Sequence, residues 1–318
     1  MGSPSRQGFW REALALHGTA IPLVMGRVLI FGIIACVICG LAWLEEVFVG
    51  RALGLDVTPH ELAGIALGLL LVMRMNVGYD RWWEARKLWG SFVDSSRNLI
   101  ISAMAYGPDN PEWRETITHW VAAYPHVARH CLRGEELSGD VAKLVGPKNT
   151  AIISNADHMP SFVALKLAHL LREARYHFEM DGFAFLRIDR ERALLVANYG
   201  GCERILTTPL PSVVSMKIRH LIVLYLLSLP FALLHRLENA WQIPFVIMFV
   251  AYPLLSLDQI GVELENPFAT GNLSHLPIDG LSATIERNVQ GIFEANQALC
   301  SHAISELDGS PAISHEAG

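Results

Sequence analysis

Charge is what this sequence has least of. Only 18% of its 318 residues are Asp, Glu, Lys or Arg, against 52% hydrophobic ones, and mean hydropathy is +0.31, too apolar for an ordinary water-soluble domain. Basic residues are in deficit. The 25 Lys and Arg face 31 Asp and Glu, a formal net charge of −6, so no broad basic face is left for nucleic-acid phosphates. Cysteine is sparse as well. Five cysteines without His/Cys ligand spacing argue against a disulfide framework and a structural zinc site. Cys36 and Cys39, inside an apolar run, read as small buried hydrophobes rather than a redox pair. No G-x-S-x-G, H-E-x-x-H or G-x-x-x-x-G-K-[ST] run occurs, so nothing nominates an enzyme, and no cofactor or metal is expected. Period-two alternation and repeats of 20 to 50 residues are missing too, which leaves an all-α chain.

What is present is a set of charge-free runs. Val28–Leu44 holds 17 uncharged residues, roughly 25 Å of helix, nearly the thickness of a bilayer core. Arg6 and Arg11 precede it, but no small-x-small cleavage pattern follows, so the run reads as a retained span. Leu62–Met73 has 12 uncharged residues and needs neighbours to shield its ends. Leu221–Leu234, with Pro230, and Ala240–Leu257, with Pro244 and Pro253, are separated by five residues and form a tight helical hairpin. The soluble alternative, one large all-α core, stays open at this point.

Orientation follows from the basic residues. Arg51 stands alone among acids between the first two runs, whereas Arg74, Arg81, Arg86 and Lys87 crowd the far end of the second. The middle region and both termini are therefore expected in the cytoplasm. That body reads as helical: Leu281, Ile285, Val289, Ile292 and Leu299 fall at helical spacing behind Asp279 as an N-cap, with breaks expected at Gly107–Pro111 and around Gly134–Asn155.

At steps of four residues, Ile65, Leu69 and Met73 share one apolar stripe of the second span. Gly64 and Gly68 lie on a neighbouring stripe, in the small-xxx-small spacing that lets membrane helices approach closely. Several copies around an axis would stack the apolar stripe into rings that offer an ion nothing in place of its water, a gate that opens by widening and wetting. Ordinary helix packing accounts for the same spacing.

Directly after the stripe runs Arg74-Met75-Asn76-Val77-Gly78-Tyr79-Asp80-Arg81-Trp82-Trp83-Glu84-Ala85-Arg86-Lys87-Leu88-Trp89-Gly90. Further on stand Gly201-Cys202-Glu203-Arg204-Ile205 with Thr208-Pro209-Leu210-Pro211, and Ile260-Gly261-Val262-Glu263-Leu264-Glu265-Asn266-Pro267-Phe268 before Leu276-Pro277-Ile278-Asp279. In order and spacing these three motifs resemble the bacterial branch of the bestrophin family of ion channels, over roughly residues 20 to 300.

The resemblance implies a multi-pass inner-membrane homopentamer in contact with lipid. Its single central pore would pass small inorganic ions, chloride by family habit. The aliphatic neck and acidic charge keep a monovalent-cation channel in view, and a non-conducting scaffold is a third reading. It places the pore neck on Ile65, Leu69 and Met73 and a cytosolic constriction on Phe183, about nineteen residues before Cys202, with Phe185 as competitor. The implied organisation is an N-terminal cytosolic segment 1–20 and a first span 21–48. A pore helix 58–105 then continues into a cytosolic helical region 106–210. Two further spans occupy 211–257, followed by C-terminal cytosolic helices 258–306 and a disordered tail 307–318. The calcium site of eukaryotic relatives has no counterpart, because Ala269-Thr270-Gly271-Asn272-Leu273-Ser274 carries no carboxylate.

Two clusters need a reading of their own. Asp80, Arg81, Glu84, Arg86 and Lys87 are either a charged vestibule or a structural ion-pair network. In the structural reading Arg81 and Glu84 join Glu203, Asp258 and Glu263, any of the last three serving Arg81, while Trp82, Trp83 and Trp89 pack the body. His126 and His130, four apart, have the spacing of metal ligands but no Glu between them in the metalloprotease pattern, and are expected on a solvated helix face.

Overall fold

The computed structural model describes residues 21–49, 55–137, 139–209, 211–237, 239–272 and 274–308. Among them every regular element is helical. The N-terminal segment 1–20 and Arg51 lie outside the described residues, as does the expected tail 307–318 beyond Asp308. Among the described residues, four helices are long and apolar enough to cross a membrane. The chain divides into two units, Met1–Glu84 with Thr208–Leu276, and Ala85–Thr207 with Pro277–Gly318.

The first unit contains α1 (Ile21–Val49), the first half of α2 (Thr58–Tyr106), α7 (Ser212–Arg236) and α8 (Ile243–Glu265). Asp56 starts α2: its carboxylate accepts from the Thr58 backbone N–H at 3.1 Å and the Thr58 hydroxyl at 3.0 Å, meeting donors that the first turn leaves over. At about 1.5 Å per residue, the 49 residues of α2 reach more than twice the ~30 Å of a hydrocarbon core. The hairpin between α7 and α8 closes through the Gln242 N–H on the Asn239 carbonyl, followed by Pro244 in the first turn of α8, where its missing N–H costs nothing. One apolar cluster, Val24, Val28, Leu67, Leu71, Ile222, Leu226 and Ala251, joins all four helices. Cys39 is buried as expected, whereas Cys36, one turn before it, is exposed.

In the second unit α3 (Pro111–Arg133) is the central helix, packed by α4 (Gly139–Ser154), α5 (Met159–His177), α6 (Gly182–Thr207) and α9 (Ile278–Asp308). Asn110 caps α3 by accepting from the Trp113 N–H at 2.8 Å, and Gly134 ends it at φ 66°, a left-handed position where a side chain would be strained. The break expected around Gly134–Asn155 is mostly helix instead: α4 buries Val141, Leu144, Val145 and Ile153, and only Gly146, at φ 81° before Pro147, leaves helical geometry. Asp279 is not an N-cap. It lies in the first turn of α9, where both its oxygens accept from Arg133 at 2.6 and 2.7 Å, and these bonds hold its carboxyl below the ordinary carboxylate range.

Candidate functional site

Two opposite edges of α2 behave differently. Leu67 and Leu71 are 4% and 0% exposed, wedged into the apolar cluster of their own unit. Ile65, Leu69 and Met73 are 73%, 62% and 58% exposed. Residues two apart on a helix diverge by about 200°, so burial of one edge turns the other away from the chain's own core. The stripe expected from spacing is thus a continuous apolar surface that the chain itself does not cover.

The glycines beside it part company. A Cβ on Gly64 would come within 2.8 Å of the Tyr225 hydroxyl oxygen on α7, so this glycine admits a neighbour from its own chain. Gly68 faces open space.

One residue past Met73, Arg74 is buried. Its guanidinium donates to Asp258 on α8 and, at 3.2 Å, to Glu265; the second oxygen of Asp258 accepts from Arg219 of α7 at 3.1 Å. Below it α2 and α8 come close: a Cβ on Gly78 would approach the Leu264 Cβ to 3.0 Å, and one on Gly261 the Arg74 Nε to 3.3 Å. Arg74 and Arg219 escaped sequence reasoning, which counted Arg74 only toward orientation. The signal was a lone basic residue between Met73 and Met75, with Asp258 equally isolated in an apolar helix.

Of the five ionisable residues expected to form one network, Asp258, Glu203 and Glu263 have partners outside it. Arg81 donates to the backbone carbonyls of Thr208 at 2.8 Å and Glu265 at 3.4 Å, so it caps the ends of α6 and α8, where carbonyls lack helical partners. Asp258 belongs to Arg74 and Arg219, Glu203 accepts from His158 at 3.2 Å, and Glu263 from Gln259 at 3.4 Å. Glu84 is half-buried. Trp82 donates to the Ser274 carbonyl at 2.8 Å and Trp89 is buried against Phe92, but Trp83 is exposed beside Tyr79 rather than packed inside. Asn272 Nδ2, on the carbonyls of Glu263 and Asn266, ties the loop after α8 back on itself.

At the start of α6, Asp181 accepts from the N–H groups of Phe183 and Ala184. Phe183 stands 84% exposed, whereas Phe185 is partly covered.

The expected solvated face of α3 is a buried one. His126 Nε2 lies 2.8 Å from Glu286, and His130 Nε2 lies 2.6 Å from the Arg129 guanidinium. A guanidinium has only donors, so His130 accepts and is neutral there. Burial pushes both imidazoles below the ordinary histidine range; for His126 the bond to Glu286 opposes that shift, while for His130 Arg129 adds to it.

Comparison with known proteins places this geometry. The model of a family described as Bacterial/Fungal Bestrophin protein matches residues 1–291. The voltage-dependent anion channel-forming protein of Ralstonia nicotianae is 30% identical over 315 residues, 97% of this chain and 95% of its own. Its namesake in a Nostoc strain is 28% identical over 309 residues, 95% and 97% of the two chains. Among solved structures, a bacterial bestrophin homologue from Klebsiella pneumoniae superposes with a TM-score of 0.77 at 26% identity, over 85% of this chain and 98% of that one.

Proposed function

This chain belongs to the bacterial and fungal bestrophin family, and on that premise we propose that five copies surround one axis to form an anion channel of the bacterial inner membrane. The supporting observation is the outward stripe of Ile65, Leu69 and Met73, opposite the edge that anchors α2 to its own subunit. Five such helices stack three apolar rings. A bare ion entering a medium of low dielectric meets a Born cost on the order of 20 kcal/mol, so the closed rings block and a widened, wetted neck conducts. Chloride is the ion, in keeping with relatives named for anion channels. Arg74, Arg81, Arg86 and Lys87 set the far end of α2, and with it both termini, in the cytoplasm. There Phe183, the more exposed of the two phenylalanines, provides the second constriction.

The reading is tested with protein purified into planar bilayers under a NaCl gradient. The reversal potential should follow chloride, and replacing Ile65, Leu69 and Met73 together by Ala should raise the current through an intact pentamer. A potential that follows sodium replaces chloride by a monovalent cation, a reading suggested by the net charge of −6 and a neck without aromatic ring edges. Silent, intact pentamers in both forms would leave a scaffold rather than a channel.

A further inference from the structure

Between α1, α7 and α8 lies a cavity of about 320 Å³ whose polar lining is Arg27, Arg219 and Asp258. The three residues share one level. Arg219 is seven residues into α7 and Asp258 seven before the end of α8, each roughly 10 Å from its helix end, and Arg27 of α1 lines the same recess. With these helix ends at the bilayer surface, that depth lies near the boundary between headgroups and acyl chains.

The charges do not balance. Asp258 already gives one carboxylate oxygen to Arg74 and the other to Arg219 Nε, and Glu265 is taken up by Arg74 and the Ser215 hydroxyl. Arg27 has no ion pair among the described residues, and the Arg219 side chain is 48% exposed. Among the described residues, three guanidiniums thus stand against two carboxylates, leaving one positive charge at the mouth of the cavity. Its other walls are apolar: Ile30 and Val223 face outward, and Leu255 closes the floor.

We propose that this cavity binds one anionic phospholipid, its phosphodiester on Arg27 and Arg219 and the start of an acyl chain along Ile30 and Val223. A single phosphodiester charge neutralises the surplus. The apolar walls distinguish a lipid from a free anion, and basic recesses between membrane helices are suited to such headgroups. The assignment requires that α1, α7 and α8 cross a bilayer, not that any pore opens. Through Asp258 the bound headgroup would adjoin Arg74, one residue from the neck.

The test is a titration of delipidated full-length protein with phosphatidylglycerol or phosphatidylcholine, followed by native mass spectrometry. Phosphatidylglycerol should bind in preference, and Arg27→Gln and Arg219→Gln should each weaken it by roughly fivefold while leaving phosphatidylcholine unchanged. Arg27 has no ion pair among the described residues, so Arg27→Gln remains informative if Arg219→Gln fails to fold. Millimolar inorganic phosphate should not displace the lipid. Equal binding of the two lipids, or unaltered phosphatidylglycerol binding by Arg27→Gln, would overturn the proposal. Displacement by phosphate alone would overturn the lipid in favour of a free anion. Because the readout is mass rather than current, a silent channel leaves the result intact.

Discussion

Replacing Asp258 by Asn is the sharpest test of what holds α2. The side chains of Arg74 and Asp258 are each 3% exposed, so the substitution leaves a guanidinium in a dry site with Glu265, at 3.2 Å and 26% exposed, as its remaining carboxylate. Removing one partner of a buried pair costs about 3–5 kcal/mol, and the residual bond to Glu265 puts the expected loss near the lower end, about 3 kcal/mol. The amide introduced by Asp258→Asn would also point a donor toward one of two guanidiniums that offer only donors. Replacing both members of the pair, Arg74→Met with Asp258→Leu, removes the stranded charge, and similar apolar volume is commonly neutral there. The assay is denaturant-induced unfolding of the purified protein, followed by tryptophan fluorescence. The single variant should lose stability and the double variant regain most of it. A single variant as stable as the parent, or a double variant no better than the single, refutes the idea that a buried charge pair anchors the helix.

Two further outcomes follow from the same structure. Protonating His126 places an N–H on Nδ1, which is buried without a hydrogen-bond partner, and protonating His130 turns its acceptor for Arg129 into a donor. Both pKa values are lowered by folding, so their contribution to stability is present above the unfolded value of about 6.5 and is lost as pH falls below it. The thermal transition should drop in that window. In His126→Gln/His130→Asn it should drop less, and equal acid sensitivity of variant and parent would sink the explanation. A second test uses Gly68, which meets nothing within 4 Å in its own chain. Gly68→Leu should leave the subunit folded but weaken pentamers on size exclusion; undiminished assembly would show that no other subunit approaches this glycine.

What could be read from the sequence was whatever one segment decides for itself. The four spans follow from where charge is missing, and the stripe Ile65, Leu69, Met73 follows from helical geometry. The misreadings concern partners far along the chain. Asp258 is 184 positions from Arg74, and Glu286 is 160 from His126, so hydropathy and spacing gave Arg74 to orientation and His126 to solvent. The polar face of α3 is buried because α4, α5, α6 and α9 surround that helix, and His126, Arg129 and Arg133 find carboxylate partners on α9 or α4. Likewise Gly, Pro and Ser between Gly134 and Asn155 suggested a break, but burial of four aliphatic side chains outweighs the weak helix propensity of those residues.

On the function proposed above, the two edges of α2 also explain how a helix so firmly held would carry a gate. Anchoring resides on the Leu67, Leu71, Arg74 and Gly78 edge, where close approach and a buried ion pair leave little freedom. On the opposite edge the side chains of Ile65, Leu69 and Met73 stand largely exposed among the described residues. These three differ in stiffness. Ile65 is β-branched and confined at χ1, Leu69 has a freer end, and Met73 has three rotatable bonds and a polarizable sulfur. A ring of Met73 can widen by rotamer exchange within a fixed backbone, whereas a ring of Ile65 widens only if the helices themselves part. Restraint of the helix therefore falls hardest on the Ile65 ring, the one farthest from the Arg74–Asp258 anchor. The end of the neck nearest that anchor has the side chain best able to yield without moving it.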